Sequence, residues 1–373
     1  MIKIILILTA KTKLLPTNEQ ASLLQDTLHA NRKALNHASK MAYNSDLPPH
    51  FKPLQKLVYA DLREQFGLKS QMACNVCRIV AGSYAALEKQ GKSTLIEYKR
   101  PNQQYSYGHD YAFSKKGLVS VGTLQGRVKV PFITKGLEHY FDGSWKFGSA
   151  KLVYKKGKFF LHFAVKKRFD SDSTIKNIVG VDFGMRFLAT AIDSNDKHLF
   201  KSGKLIKETT AKYVRLRKGL QACGTKSAKR KLQKVSGKEN RFMTNTNHVL
   251  SKALIQFAGK HSLIAIEDLT GINLKTSIWK RNKYYRLSWS FYQLRQMLEY
   301  KGVMNNIKVI AFNPAYTSQK CPKCGNINKN NRNKKAHIFC CTICQYQSND
   351  DRIGAINLRQ MGIEYHHKMT QEA

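Results

Sequence analysis

The chain opens with "IKIILIL", an apolar run of strand length. "LLPTNEQASLL" follows, where Thr17 and Gln20 stand at the spacing of a capping box at a helix start. Leu24, Leu28, Leu35 and Ala38 then recur at helical intervals, and a second helical stretch over residues 54–90 is predicted after the "DLPPHF" break. From Leu95 to Phe169 the period changes: "GLVSVGTLQGRVKVPF" and "AKLVYKKGKFFLHFAVKKRF" alternate apolar with polar positions between glycines, as antiparallel strands do. Together with residues 2–15 these strands are expected to close a β-barrel into which the helices are inserted. After the polar "DSDSTIKN", the stretch "IVGVDFGMRFLATAID" predicts strand, tight turn, strand. "SLIAIE" and "VIAF" read as further strands, and "LSWSFYQLRQMLEYKG" as a helix with Ser288 near its start, Phe291, Leu294 and Leu298 on one face, and Gly302 as its stop. Alternating strands and helices between 177 and 313 predict an α/β layer fold with a mixed sheet, followed by a cysteine-rich insert and a final helix.

Within that pattern three acids stand out. If "IVGVD" is a strand, Ile178, Gly180 and Asp182 share one face, and in "LIAIED" Leu263, Ala265 and Glu267 repeat the arrangement, each acid ending an apolar strand beside a small residue. In "SNDDRIGAINL" Ser348 or Asn349 can cap a helix on which Asp351, Gly354, Ala355 and Leu358 share a face whose small residues allow close packing on a sheet. Three carboxylates brought together raise one another's pKa unless a cation compensates them, and an oxygen-only set suits Mg²⁺ or Mn²⁺. Two such ions roughly 3.5–4 Å apart can activate a water and hold the leaving oxygen of a phosphodiester. Taken singly, each acid also reads as a helix cap or an exposed strand end.

Charge narrows the class of partner. With 64 Lys and Arg against 24 Asp and Glu, the net charge of +40 exceeds what solubility requires and points to a polyanion, nucleic acid first. Residues 201–241 hold 14 of the basic residues against Glu208 and Glu239, and "KTSIWKRNKYYRLSW" mixes cations with rings that can stack on bases, notably Trp279, Tyr284 and Tyr285. Arg217, Lys229, Arg230, Lys283 and Arg286 are the candidate contacts; a solvated helix face is the bland alternative. The apolar run Ile4–Leu8 is too short to span a membrane, and no cleavage site of a signal peptide follows it, so an intracellular protein is expected.

Of the eight cysteines, Cys321-x₂-Cys324-x₁₆-Cys341-x₂-Cys344 has the spacing of a four-cysteine zinc ribbon around one structural ion. Cys340 and His337 stand close enough in sequence to compete with Cys341 for the third ligand position. Cys74, Cys77 and Cys223 read as buried small side chains.

"GVDFGMR", "IAIEDLTGI", "TSQKCPKCG", "FCCTIC" and "NDDRIGAINL" occur in the order and with the spacing of the TnpB family, transposon-encoded nucleases related to type V CRISPR effectors, and the chain resembles that family over nearly its whole length. The resemblance implies a RuvC-like nuclease domain of RNase H fold (171–313 and 346–365) with a zinc ribbon (314–345), a wedge-like barrel (1–15 and 95–170), a helical insert (16–94) and a short tail (366–373). It further implies a guide RNA made from the transposon end, a DNA target beside a short flanking motif, and a prokaryotic cytoplasmic setting. Asp182, Glu267 and Asp351 match the family's metal-binding acids, and the four cysteines its zinc ligands. Asn349, Asp350, Ile353 and Gly354 depart from the family's usual residues, which makes Asp350 a rival to Asp351, and Gln345 stands where glycine is common. A silent RNA-guided DNA-binding regulator and a transposase that works without RNA are the alternatives.

Overall fold

The computed structural model describes residues 2–45, 50–114, 117–171, 174–184, 186–269 and 291–372. The chain divides into two compact units, residues 5–168 and residues 1–4 with 169–373.

The first unit combines strands β1 (Ile2–Lys13), β2 (Asn102–Tyr105), β3 (Tyr111–Phe113), β4 (Leu118–Thr123), β5 (Gly126–Pro131), β6 (Lys146–Lys155) and β7 (Lys158–Ser171) with helices α1 (Asn18–Asn44), α2 (Phe51–Glu64) and α3 (Ser70–Glu88). Thr17 caps α1 as its sequence predicts: the Gln20 N–H donates to the Thr17 hydroxyl at 3.3 Å, and the Thr17 N–H to the Gln20 side chain at 3.2 Å. Leu24, Leu28, Leu35 and Ala38 form its buried face. The predicted single helical stretch over 54–90 is instead two helices, because the chain turns at Gly67, whose φ of +62° is open to glycine, and Leu68 donates back to the Leu62 carbonyl.

The strands do not close a barrel among the described residues. They form a four-stranded sheet in the order β1-β7-β6-β2 and a three-stranded sheet β3-β4-β5. Between β1 and β5 the pairing is one bridge, Leu14↔Phe132, flanked by Leu15 donating to the Pro131 carbonyl and Ile133 to that of Lys13. Proline at 131 and at 16 removes the donors a longer ladder needs, so the seam stops there. Phe113 lies at the centre of an aromatic core, with the rings of Phe132, Phe141, Phe147 and Phe163 each about 5 Å away.

The second unit is built on a five-stranded mixed sheet of β8 (Asn177–Asp182), β9 (Phe187–Ile192), β10 (His198–Ser202), β11 (Ser262–Glu267) and β12 (Ile307–Phe312), in the order β10-β9-β8-β11-β12. The first three strands are antiparallel, and β8, β11 and β12 run parallel. Helices α4 (Lys204–Cys223), α5 (Lys226–Val235), α6 (Lys238–Ala258) and α7 (Phe291–Met304) precede three short strands, β13 (Arg332–Asn333), β14 (Ile338–Cys340) and β15 (Gln347–Asn349), and the chain then enters α8 (Asp350–Gln371).

Alternation along β8 and β11 sorts their side chains as the sequence requires. Val179, Val181, Ile264 and Ile266 pack with α6 and α7 residues such as Leu254 and Leu298, while Ile178, Leu263 and Ala265 pack with Leu358 of α8 on the other face. α7 does not stop at Gly302: the helix runs on to Met304, and glycine is required because a Cβ there would sit 2.7 Å from the Ile307 carbonyl oxygen. Cys77 is buried, and that burial pushes its thiol up to about 12; Cys223, expected inside, is exposed at the end of α4. No helix among the described residues is long and apolar enough to cross a membrane.

Candidate metal centre

Parallel pairing of β8 with β11 runs in register through Ala265↔Gly180 and Ile266↔Val181, so the next residues, Glu267 and Asp182, end neighbouring strands side by side. The two carboxyl groups lie close enough for each to perturb the other's ionisation. Both residues keep part of their surface open, but the carboxyl groups themselves are desolvated, and this burial lifts Asp182 well above the usual carboxylate range. The charges of Glu267 and Asp351 push Asp182 the same way. Burial raises Glu267 as well, opposed by the Thr317 hydroxyl, which donates to Glu267 Oε1 at 3.1 Å.

The third acid arrives from α8. Asn349 caps that helix, its side chain accepting from the N–H groups of Asp351 and Arg352 at 3.1 Å. α8 lies on the sheet at glycine contacts: a Cβ at Gly180 would fall 2.0 Å from the Ala355 carbonyl oxygen, and one at Gly354 2.8 Å from Asp182 Oδ1. Asn357 donates to the carbonyls of Thr317 and Lys320, and Arg359 to the Asp193 carbonyl and to Asp196, which fixes the helix along its length. Asp351 is buried, which raises its pKa along with the charge of Asp350, while Arg332, His337 and Arg186 act in the opposite direction.

Asp350, the rival raised by the sequence, is fully buried and engaged: Arg332 Nε lies 2.9 Å from its Oδ2 and His337 Nδ1 3.4 Å from its Oδ1. Asp351 Oδ2 by contrast is buried with no hydrogen-bond partner. Desolvated carboxylates, an orphaned oxygen and an all-oxygen donor set fit a hard divalent cation such as Mg²⁺ or Mn²⁺. Thr317 and Arg332 escaped the sequence reading because they lie in polar stretches where no period marks a residue, and His337 was weighed there only as a rival zinc ligand. The position of Asp350 beside Asp351 was the one local signal that this corner carries extra charge.

Cys321, Cys324, Cys341 and Cys344 bring their sulfurs within 4.8 Å of one another. The Cys321–Cys344 and Cys324–Cys341 Sγ pairs are 3.6 and 3.5 Å apart. Four thiolates about 2.3 Å from a tetrahedral Zn²⁺ would be separated by little more than this, so the set fits zinc. Cys340 turns elsewhere, its sulfur accepting from Gln347 Nε2 at 3.6 Å. The two knuckles are alike in their turns: Gly325 at φ +77° donates to the Cys321 carbonyl, and Gln345 at φ +57° donates to that of Cys341. Gln345 therefore occupies the left-handed position that favours glycine. Asn331 is buried behind the knuckles, donating to the Gln319 and Asn326 carbonyls and accepting from Thr342, which orders the polar loop.

The basic candidates divide. Lys229 and Arg230 are exposed on α5, whereas the Arg217 guanidinium lies 2.6 Å from Glu239. Lys283 and Arg286, like Trp279, Tyr284, Tyr285 and Ser288, lie outside the described residues.

Two family models match: a probable transposase model spans residues 162–277, and the Cas12f1-like TNB domain spans residues 291–358, which include the four cysteines. The chain is 27% identical over 262 residues to a CRISPR-associated endodeoxyribonuclease Cas12f1 of Sulfoacidibacillus thermotolerans, covering 63% of this chain and 59% of that protein. A TnpB-like protein of Methanocaldococcus jannaschii is 27% identical over 236 residues, covering 60% of this chain and 81% of the relative. The chain is a relative of TnpB and Cas12f. A putative RNA-guided DNA endonuclease InsQ of Escherichia coli is 28% identical over 204 residues, half of this chain and 49% of that protein. Among solved structures, a Cas12f1–sgRNA–target DNA complex has a protein chain of the same fold, with a TM-score of 0.57 at 14% identity over 96% of this TnpB relative and 99% of that chain.

Proposed function

We propose that this TnpB relative is a transposon-encoded, RNA-guided DNA endonuclease that cuts DNA beside a short flanking motif. The observation that carries the reading is the meeting of Asp182 and Glu267 at adjacent parallel strand ends with Asp351 held close by α8. The strand order, three antiparallel followed by two parallel, supports a RuvC-like domain of RNase H fold, and the cysteine cluster supports its zinc ribbon. The sheets and helices of residues 5–168 are assigned to the wedge-like domain and its helical insert on the same basis.

Asp182, Glu267 and Asp351 would hold two divalent ions, which when bound supply an activated water and stabilise the departing oxygen of the phosphodiester. The chain's own residues prepare that site. Thr317 fixes the rotamer of Glu267, and the Asn349 cap aims Asp351. The net charge of +40 and the exposed cations of α5 suit a guide RNA and its heteroduplex, recognised by backbone shape.

The test is the Asp182→Ala variant, expected to retain guide and target binding while cleavage falls to background; cleavage at the wild-type rate refutes the assignment. The presence of all three acids argues against a silent regulator. The match to a probable transposase model favours one rival, an enzyme acting on transposon ends without RNA. RNA sequencing of the purified protein and cleavage after RNase treatment separate the two, since the rival carries no discrete RNA and still cuts.

A further inference from the structure

A second group of ligand atoms lies beside the acid pair. His337 Nδ1 and carboxylate oxygens of Asp350 and Asp351 all fall within 4.8 Å of one another. The imidazole is set in place through its backbone, because the His337 carbonyl accepts from the Asn349 side chain at 3.3 Å and from the Asp350 N–H at 3.4 Å. Arg332 takes Asp350 Oδ2, leaving Oδ1 facing the imidazole 3.4 Å away while it also accepts the Asp351 N–H.

Two atoms in this corner make no hydrogen bond, although His337 Nδ1 lies 3.4 Å from Asp350 Oδ1 as an ion pair. His337 Nδ1 is buried with no hydrogen bond, and so is Asp351 Oδ2, on a side chain only 8% exposed. Buried polar atoms are ordinarily satisfied, and an imidazole nitrogen beside one carboxylate, with an unsatisfied oxygen on the next, is an arrangement a cation completes. The 3.4 Å between His337 Nδ1 and Asp350 Oδ1 agrees with this, since ligands about 2.1 Å from one ion are separated by roughly 3–4 Å. An imidazole in the donor set shifts preference from Mg²⁺ toward the transition series, where nitrogen ligation is favoured.

We propose that His337, Asp350 and Asp351 form a mixed nitrogen–oxygen cation site that takes a transition-series divalent ion such as Mn²⁺ in preference to Mg²⁺. It rests on the nuclease reading only through Asp351, which the two sites share. Asp350 is one of the positions at which this chain departs from the usual residues of the family it resembles. The guanidinium of Arg332 pairs with Asp350, and Arg332 and Arg186 both act on Asp351.

The experiment uses the full chain with its zinc retained and other divalent ions removed, titrated with Mn²⁺. Free Mn²⁺ is followed by electron paramagnetic resonance, and pulsed measurements detect ¹⁴N coupling to the bound ion. Wild-type protein is expected to show imidazole coupling and to hold Mn²⁺ against excess Mg²⁺. His337→Gln should abolish the coupling and weaken Mn²⁺ binding about tenfold or more. Asp350→Asn, which leaves the imidazole in place, should weaken binding while coupling persists at saturation. Zinc content of each variant reports that the insert has folded. Absence of ¹⁴N coupling in wild type, or coupling and affinity unchanged in His337→Gln, overturns the site and leaves a simple His337–Asp350 ion pair. Asp182→Ala separates the two readings: it should lose cleavage yet keep the nitrogen-coupled signal, so either result can fail without the other.

Discussion

Replacing Gly180 by alanine adds one methyl group at the point where β8 lies against α8, and the structure says what that methyl would meet. Its carbon would fall 2.0 Å from the Ala355 carbonyl oxygen, 2.4 Å from the Arg359 nitrogen and 2.9 Å from the Arg359 Cα, all backbone atoms of α8 that no rotamer change can move. Bringing these contacts to an ordinary separation requires the helix to withdraw by about 1 Å, because close-packed interiors leave no slack to absorb the overlap. Overpacking of this kind costs about 1–3 kcal/mol, offset by about 0.4–1 kcal/mol from the lower entropy of the unfolded alanine chain. A net loss of about 1–2 kcal/mol lowers the melting temperature of a unit this size by roughly 3–8 °C. The functional effect is larger, because α8 carries Asp351: a displacement of about 1 Å at a reacting centre costs about a hundredfold in rate. Thermal unfolding and single-turnover cleavage of a guide-matched DNA measure the two effects separately. Gly219→Ala, in α4 with nothing within 4 Å of the added carbon, is the control and should gain about 0.5–1 kcal/mol without loss of rate. A Gly180→Ala protein as stable and as fast as wild type would show that α8 is not held at this contact.

Gln345→Gly relieves a side chain at φ +57° and should stabilise the second cysteine knuckle by about 1 kcal/mol, read as a higher chelator concentration needed to release zinc; equal or easier release refutes the strain argument. In the first unit, burial lifts Asp110 to about 6, so its stabilising contribution is complete below the ordinary carboxylate range near 3.8 and is lost as pH rises through about 6. Asp110→Asn should therefore gain on wild type by about 2 kcal/mol between pH 4 and pH 7 in denaturant titrations, and a difference that does not change with pH contradicts the assignment. Lys229→Ala with Arg230→Ala, on the exposed face of α5, should weaken nucleic-acid binding without sequence preference and reduce the salt slope by roughly one for each phosphate left without its cation; an unchanged slope removes both from the interface.

The sheet and its two strand-end acids were legible in the sequence because alternation with a period of two, trimmed by Gly180 and Ala265, leaves few ways to place Asp182 and Glu267. The helix face of Asp351, Gly354, Ala355 and Leu358 was legible for the same reason at the helical period. What local pattern does not encode is which strands become neighbours over long separations, and here the expected barrel gave way to two sheets at prolines 16 and 131. Gly302 shows the ambiguity of a single glycine: as a helix stop and as a close approach to a strand it looks identical until the neighbour is known. Arg332 lay unmarked in a polar stretch and His337 was read only as a rival zinc ligand, since their place at the head of α8 depends on the pairing of β13, β14 and β15.

The wide sequence separation of Asp182 from Asp351 gives the centre a history as well as a geometry. On the ribosome the hairpin of β8 and β9 emerges and can pair long before α8 is made, leaving the glycine-lined side of the sheet uncovered. Until that late helix docks, the first two acids stand without the third, so a nascent chain would hold an incomplete set of ligands. On the proposed nuclease reading, cleavage would have to wait until that last helix has docked.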